Sequence, residues 1–258
     1  MNKDFTLVKY ESLCKTIADS DYSVKKIKDF IIEKDYTSRQ ILIRHDVDKN
    51  IERVLRMAEL ERDYGLSATY YFRKKRKVFD PSLILKINNL GHDIGYHYET
   101  LDKAKGDKEK ALEFFAQELR EFRKILPIET CVMHGNSLSR WDNRHIWKNK
   151  RPEDYGLVGE GYLSIDFSKM YYFTDTGRRW DGHNFNVKDR MKNSISDKIK
   201  VKNTDDLIRI IENSKCNNLY LNTHPKKWSQ TKIEWYKEQL DVSMRNTIKY
   251  TYKKLFGK

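Results

Sequence analysis

Residues 41–48 read ILIRHDVD. The first half is short, apolar and β-branched, and the stretch ends in charged residues. That pattern predicts a strand with its polar residues at the C-terminal end. Directly after it, 51–63 (IERVLRMAELERD) carries apolar residues at 51, 54, 55, 57, 58 and 60. This is helical spacing, and Gly65 stops it. The alternation repeats. SATYYFR (67–73) predicts a strand, Pro81 opens a helix to about Leu90, and DIGYHYE (93–99) predicts a third strand. A helix over 107–125 shows Leu112, Phe115, Leu119 and Phe122 on one face, and TCVMH (130–134) predicts a fourth strand. Alternating strands and helices imply parallel strands in an α/β barrel or an open doubly wound sheet. In both, functional residues collect just beyond the C-terminal ends of strands.

Further along, the signals weaken. Residues 135–160 and 181–203 are polar, with few periodic features. YLSIDF and MYYFT, within 162–174, read as two strand segments. DDLIRIIENS (205–214) predicts a helix with Thr204 as its N-cap, NLYLNT (218–223) the last strand, and 229–254 a long basic terminal helix. The 258 residues suit one large domain or at most two small ones. The reading is a single catalytic domain over 1–258, its motif-bearing core at about 40–226.

Composition removes several classes. An apolar share of 38% with 12% aromatics is enough for a core, so wholesale disorder is not expected. No run approaches a membrane span, and the start, MNKDFTLVKYESLCK, lacks the apolar region of a secretory signal. Cys14, Cys131 and Cys216 form neither a CxxC pair nor a disulfide framework, so a reducing, cytoplasmic setting is the expectation. There is no GxSxG, P-loop or GxGxxG. Net charge is +13. Such charge serves nucleic acid, an anionic membrane or an anionic substrate, or only a solvated lysine-rich surface. Without any RRM, KH, helix-turn-helix or zinc-finger pattern, no nucleic-acid partner is expected.

Four strand ends carry candidate chemistry. In Arg44-His45-Asp46-Val47-Asp48, alternation puts Asp46 and Asp48 on one face and His45 on the other. Two carboxylates on one face need a cation or proton between them. In His97-Tyr98-Glu99, His97 and Glu99 share a face, completing a His/carboxylate set suited to zinc or another first-row divalent ion. His134, before Gly135, and His224, before Pro225, end two more strands and suit acid/base work. Arg73-Lys74-Lys75-Arg76-Lys77 is the densest basic run, readable as a phosphate loop or as solvated charge. Asp175, Arg178, Arg179 and Trp180 in TDTGRRWDG have the makings of a sugar platform, or of a structured turn with an Arg–Asp pair.

Together ILIRHDVD, GLSATYYFR, GHDIGYHYE and the late THP resemble the polysaccharide deacetylase superfamily (carbohydrate esterase family 4). HGNSLSRWDN, TDTGRRW and NTHPKKW are similar to its bacterial branch associated with surface-polysaccharide or O-antigen biosynthesis. The resemblance implies a distorted (β/α) barrel of about seven parallel strands and metal-dependent removal of an acetyl group. It implies that Asp46 is the catalytic base and that His224 protonates the leaving group. The family's neighbouring metal-binding Asp falls on Val47, which passes that role to Asp48. Of the family's two metal-binding His residues four apart, the first is His97 and the second falls on Leu101. Glu99, on the same strand face as His97, is the expected substitute, and the ion would be held by Asp48, His97 and either Glu99 or His134. Arg178, Arg179, Trp180 and Asp175 would bind the sugar.

The expected cofactor is one divalent ion, Zn²⁺ or else Co²⁺, Ni²⁺ or Mn²⁺. The expected substrate is an acetylated, nucleotide- or lipid-linked sugar, whose phosphates basic residues would attract. The basic terminal helix could also touch an anionic membrane face. Two alternatives share the fold: hydrolysis of another C–N amide bond, and a glycan-binding barrel without catalysis.

Overall fold

The structure is a computed structural model that describes residues 3–136, 139–181 and 195–256. Ser137 and Leu138 of the HGNSLSRWDN motif and Gly182 at the end of TDTGRRWDG lie outside them. The elements run α1 (Leu7–Ala18), β1 (Ser23–Lys25), α2 (Ile27–Glu33), β2 (Gln40–Val47), α3 (Ile51–Asp63), β3 (Thr69–Phe72), α4 (Pro81–Asn89), β4 (Asp93–Tyr98), α5 (Thr100–Lys103), α6 (Lys108–Arg123), β5 (Thr130–Met133), β6 (Gly159–Glu160), β7 (Tyr171–Thr174), α7 (Thr204–Glu212), β8 (Asn218–Thr223) and α8 (Lys232–Phe256).

Seven strands pair in the order β6-β5-β4-β3-β2-β8-β7, every pair parallel. The short β1 adds to β2. The sheet curls into a half-barrel with helices outside, as the α/β reading predicts. Among the described residues β6 and β7 exchange no ladder bonds. The Tyr162 and Tyr172 hydroxyls, 3.3 Å apart, reach across that side instead.

Two layers of burial hold the sheet. Outside, Val54, Met57 and Ala58 of α3, Ile84 and Ile87 of α4, and Phe115, Leu119 and Phe122 of α6 are buried. Inside lies an aromatic and polar layer: Tyr71, Tyr162, Tyr172 and Tyr220 surround the buried Arg44 guanidinium, which lies 4.3 Å from the centroid of the Tyr162 ring. Gly95 makes room for it. A Cβ there would meet the Tyr71 ring at 2.2 Å, so any side chain at 95 would push Tyr71 out of the barrel.

Two local expectations are corrected. YLSIDF is not a strand. The Glu160 carboxylate accepts the Tyr162 and Leu163 amides at 2.7 and 2.9 Å, which turns the chain directly after β6. The N-cap of α7 is Asn203, whose side chain accepts the Asp206 amide at 2.8 Å. Thr204 instead accepts the Trp180 indole N–H at 3.0 Å. No helix among the described residues is long and apolar enough to cross a membrane.

Candidate metal centre

Parallel pairing brings the C-terminal ends of β2, β4, β5, β7 and β8 to one rim, and period 2 selects which residues face in. Asp46 and Asp48 come from β2 and the turn after it, His97 from β4, His134 from just past β5 and His224 from just past β8. All but the half-buried His134 are buried.

Asp48, His97 and His134 converge. Asp48 Oδ1 lies 3.2 Å from His134 Nδ1 and 3.8 Å from His97 Nε2, and the two His nitrogens are 3.1 Å apart. Ligand atoms about 2.0–2.1 Å from a tetrahedral ion sit about 3.3 Å from one another, so this spacing suits such a group. Two imidazoles and one carboxylate also form a donor set for zinc and its first-row neighbours. His97 is set for the task by its other nitrogen. Nδ1 lies 3.2 Å from the Val132 carbonyl, which can only accept, so the proton sits there and Nε2 keeps its lone pair. Burial holds the His97 pKa down at about 3, which keeps the ring neutral. Burial would raise Asp48, but Lys226 and His134 outweigh it and hold the carboxyl well below its ordinary range. Lys226 Nζ donates to Asp48 Oδ2 at 2.5 Å.

Asp46 stands beside this trio rather than within it. Its Oδ2 is 3.8 Å from both His97 Nε2 and His224 Nε2. Arg44 grips it with two bonds, Nε to Oδ1 at 2.7 Å and Nη2 to Oδ2 at 2.8 Å. Burial pushes this carboxyl up, and Arg44, His97 and His224 together bring it down to about 2. Asp46 is therefore ionised at neutral pH.

His224 is backed by Asp175, whose Oδ1 accepts from Nδ1 at 2.7 Å. Asp175 also accepts the His224 amide at 2.8 Å, Lys227 Nζ at 2.8 Å and the Trp228 indole at 3.1 Å. Burial would raise its pKa, but Lys227 and His224 hold it well below the carboxylate range. The result is a fixed Asp–His pair with Nε2 turned toward Asp46.

The remaining sequence candidates lie elsewhere. Glu99 is turned to Arg73 and to Lys75 Nζ at 3.1 Å, and the group of three forms without it; His134 holds the third position. Trp180 is fully buried and packs on Phe5 and Trp228, so it offers no face to a sugar. Arg178 takes a left-handed φ of 57° and points to the Asp4 carbonyl and the Phe5 and Trp235 rings. Arg179 pairs with Asp181 at 2.9 Å. Asp175 is wholly buried behind His224 and positions it rather than touching a substrate. Sequence reading assigned no role to Arg44, Asn222, Lys226 or Asn143. Asn222 Nδ2 donates to Asp46 Oδ2 at 3.4 Å, and Asn143 ties the His134 carbonyl to the start of α5 through bonds of 3.0 Å. Arg44 and Asn222 each lie two residues before a site residue, so the same period-2 argument would have found them.

The molecule is thus an α/β half-barrel with a buried Asp-His-His group at its strand ends. No protein-family model matches the chain, and no curated protein matches it either.

Proposed function

We propose that the protein is a metal-dependent deacetylase of the polysaccharide deacetylase superfamily. It would remove an acetyl group from an amino sugar or glycan precursor in the cytoplasm, where that precursor is nucleotide- or lipid-linked. The observation that carries this reading is the pairing of the Asp48-His97-His134 donor set with an ionised Asp46 that faces both His97 and His224.

A divalent ion held by Asp48, His97 and His134, zinc by preference, would act as a Lewis acid and lower the pKa of a water to about 7. Asp46 accepts the proton of the attacking water at Oδ2, and its Arg44 fork keeps that oxygen fixed and charged. His224, once protonated at Nε2, gives that proton to the departing amine or alkoxide. Asp175 stabilises the imidazolium and fixes its plane. Arg44, held on the Tyr162 ring, stays in place through the cycle.

The test is acetate release from N- and O-acetylated amino sugars by chelator-treated protein given one equivalent of zinc. Release that requires zinc and disappears in His97→Ala supports the proposal. Tight zinc binding with no acetate from any acetylated sugar moves the reading to another C–N amide on the same barrel.

A further inference from the structure

A cleft of about 890 Å³ opens beside the metal group, and Asp48 stands in its wall. Its chemistry is lopsided. Lys49, Lys75, Arg76 and Lys77 are exposed along it, and the buried Arg53 and Arg73 form part of its lining. Against these six cations stand three carboxylates, Asp48, Glu52 and Glu234. Arg53 already faces Glu234 at 3.4 Å, and Arg73 faces Glu99 and, at 3.5 Å, Asp48. Lys75 reaches Glu99 at 3.1 Å. Among the described residues Lys49, Arg76 and Lys77 join no ion pair and stay available.

Two further features point the same way. Helix α3 begins in the cleft wall at Asn50, which takes a left-handed φ of 56° and makes no side-chain cap. The N–H groups of its first turn, with the positive end of the helix dipole, therefore face a site for an anion. Arg73, buried in the same wall, keeps its Nε without a partner. A buried donor without an acceptor is costly, and an incoming oxyanion would relieve it.

We infer that this cleft seats a phosphate or diphosphate group of the substrate, with Lys49, Arg76 and Lys77 as its principal ligands and the acetylated sugar directed to Asp48. This assignment rests on the deacetylase reading for the sugar half only. The anion half stands on the cleft itself. It also gives part of the +13 charge a location.

The experiment uses the full chain without metal and with inorganic pyrophosphate as probe, read by calorimetry. Pyrophosphate should bind, more weakly as salt rises, and Lys49→Ala/Arg76→Ala/Lys77→Ala should lose about 10-fold or more in affinity. A control triple, Lys15→Ala/Lys86→Ala/Lys108→Ala, removes equal charge from exposed positions elsewhere and should bind as the parent does. No binding, or equal losses in both triples, overturns the inference. Because no hydrolysis is read, failure of the deacetylase reading leaves this result intact, and acetate assays on neutral sugars leave this inference untouched. Uridine diphosphate competing more tightly than pyrophosphate supports the site and assigns a nucleotide-linked substrate. Retention on phosphatidylcholine vesicles that carry farnesyl diphosphate, but not on plain ones, supports it and assigns a lipid-linked one.

Discussion

Two buried polar groups sit back to back on β2. Toward α3 lie His45, Glu61, Tyr10, Tyr70 and His92; toward the barrel interior lie Asp46, Asp48, His97, His134 and His224. Both contain carboxylates and imidazoles, and a shift of one residue along the strand separates them. On the α3 side the carboxylate and both imidazoles are each engaged by hydrogen-bond partners. Glu61 accepts from the Tyr10 hydroxyl, from Tyr70 at 2.6 Å and from His45 Nε2 at 2.6 Å, while His45 Nδ1 meets Thr223 at 2.5 Å. His92 accepts the Ala68 amide at 3.2 Å and donates to the Ala58 carbonyl at 2.9 Å, so its tautomer is fixed as neutral. On the inner side, Asp48 Oδ1, His97 Nε2 and His134 Nδ1 crowd together, with the His134 Nδ1 proton set between the other two acceptors, and the His134 side chain keeps 16% exposure. Buried histidines and acids do not by themselves mark a site. What marks one here is three metal-ligand atoms from separate strand ends converged on one point that stays reachable.

The largest expected effect tests the closed side. Glu61→Gln puts an amide donor against groups arranged to donate, and removes the charge that His45 faces. Breaking such a buried set costs on the order of 3–5 kcal/mol, read as a lower urea midpoint. Zinc affinity of the folded molecules should not change. If the variant is as stable as the parent yet loses zinc, the two groups are one site and the contrast fails.

Asp46→Asn tests the inner side, where the loss should fall mainly on turnover. On the deacetylase proposal, losing this carboxylate should cost about 10²–10⁴ in kcat while zinc still binds. Its stability cost carries a pH signature. The folded pKa, about 2, lies below the ordinary value of 3.8. The charge therefore contributes stability fully above about pH 4, and that contribution drains away as pH falls through about 2. The gap in unfolding free energy between parent and variant, roughly 2 kcal/mol at neutral pH, should close between pH 5 and pH 2. A gap that does not vary with pH would mean that Asp46 carries no depressed pKa.

How far the sequence could lead follows from which physics is local. The strand at ILIRHDV was readable because an apolar run ending in charge has few other uses, and α3 because its six apolar positions fit one helical face. Asp46, Asp48, His97, His134 and His224 could be collected because parallel topology sends strand C-termini to one rim. Choosing His134 over Glu99 was out of reach. Nothing near Glu99 in the chain says that Arg73, 26 residues earlier, claims it. β6 is two residues long and too short for any period. In TDTGRRW the structure shows the alternative reading, a structured turn with an Arg–Asp pair, and the sugar platform is suggested for another reason. Aromatic and charged residues side by side look like a ligand platform whichever way the chain turns, and the left-handed Arg178 turns it so that Trp180 packs inward against Thr204 and Trp228.

That turn sets up the smallest effect. Arg179 meets only Asp181 in the structure, with two bonds of 3.1 and 2.9 Å, on a side chain 28% exposed. A partly exposed pair of this kind contributes about 0–1 kcal/mol. Arg179→Ala should therefore shift the melting temperature little and leave kcat and KM for the acetylated sugar at parent values, in contrast to Asp46→Asn, which touches the reaction. A tenfold rise in KM with kcat unchanged would mean the opposite. It would show that Arg179 leaves Asp181 when substrate arrives, and it would restore the sugar-binding role that its sequence neighbourhood suggests.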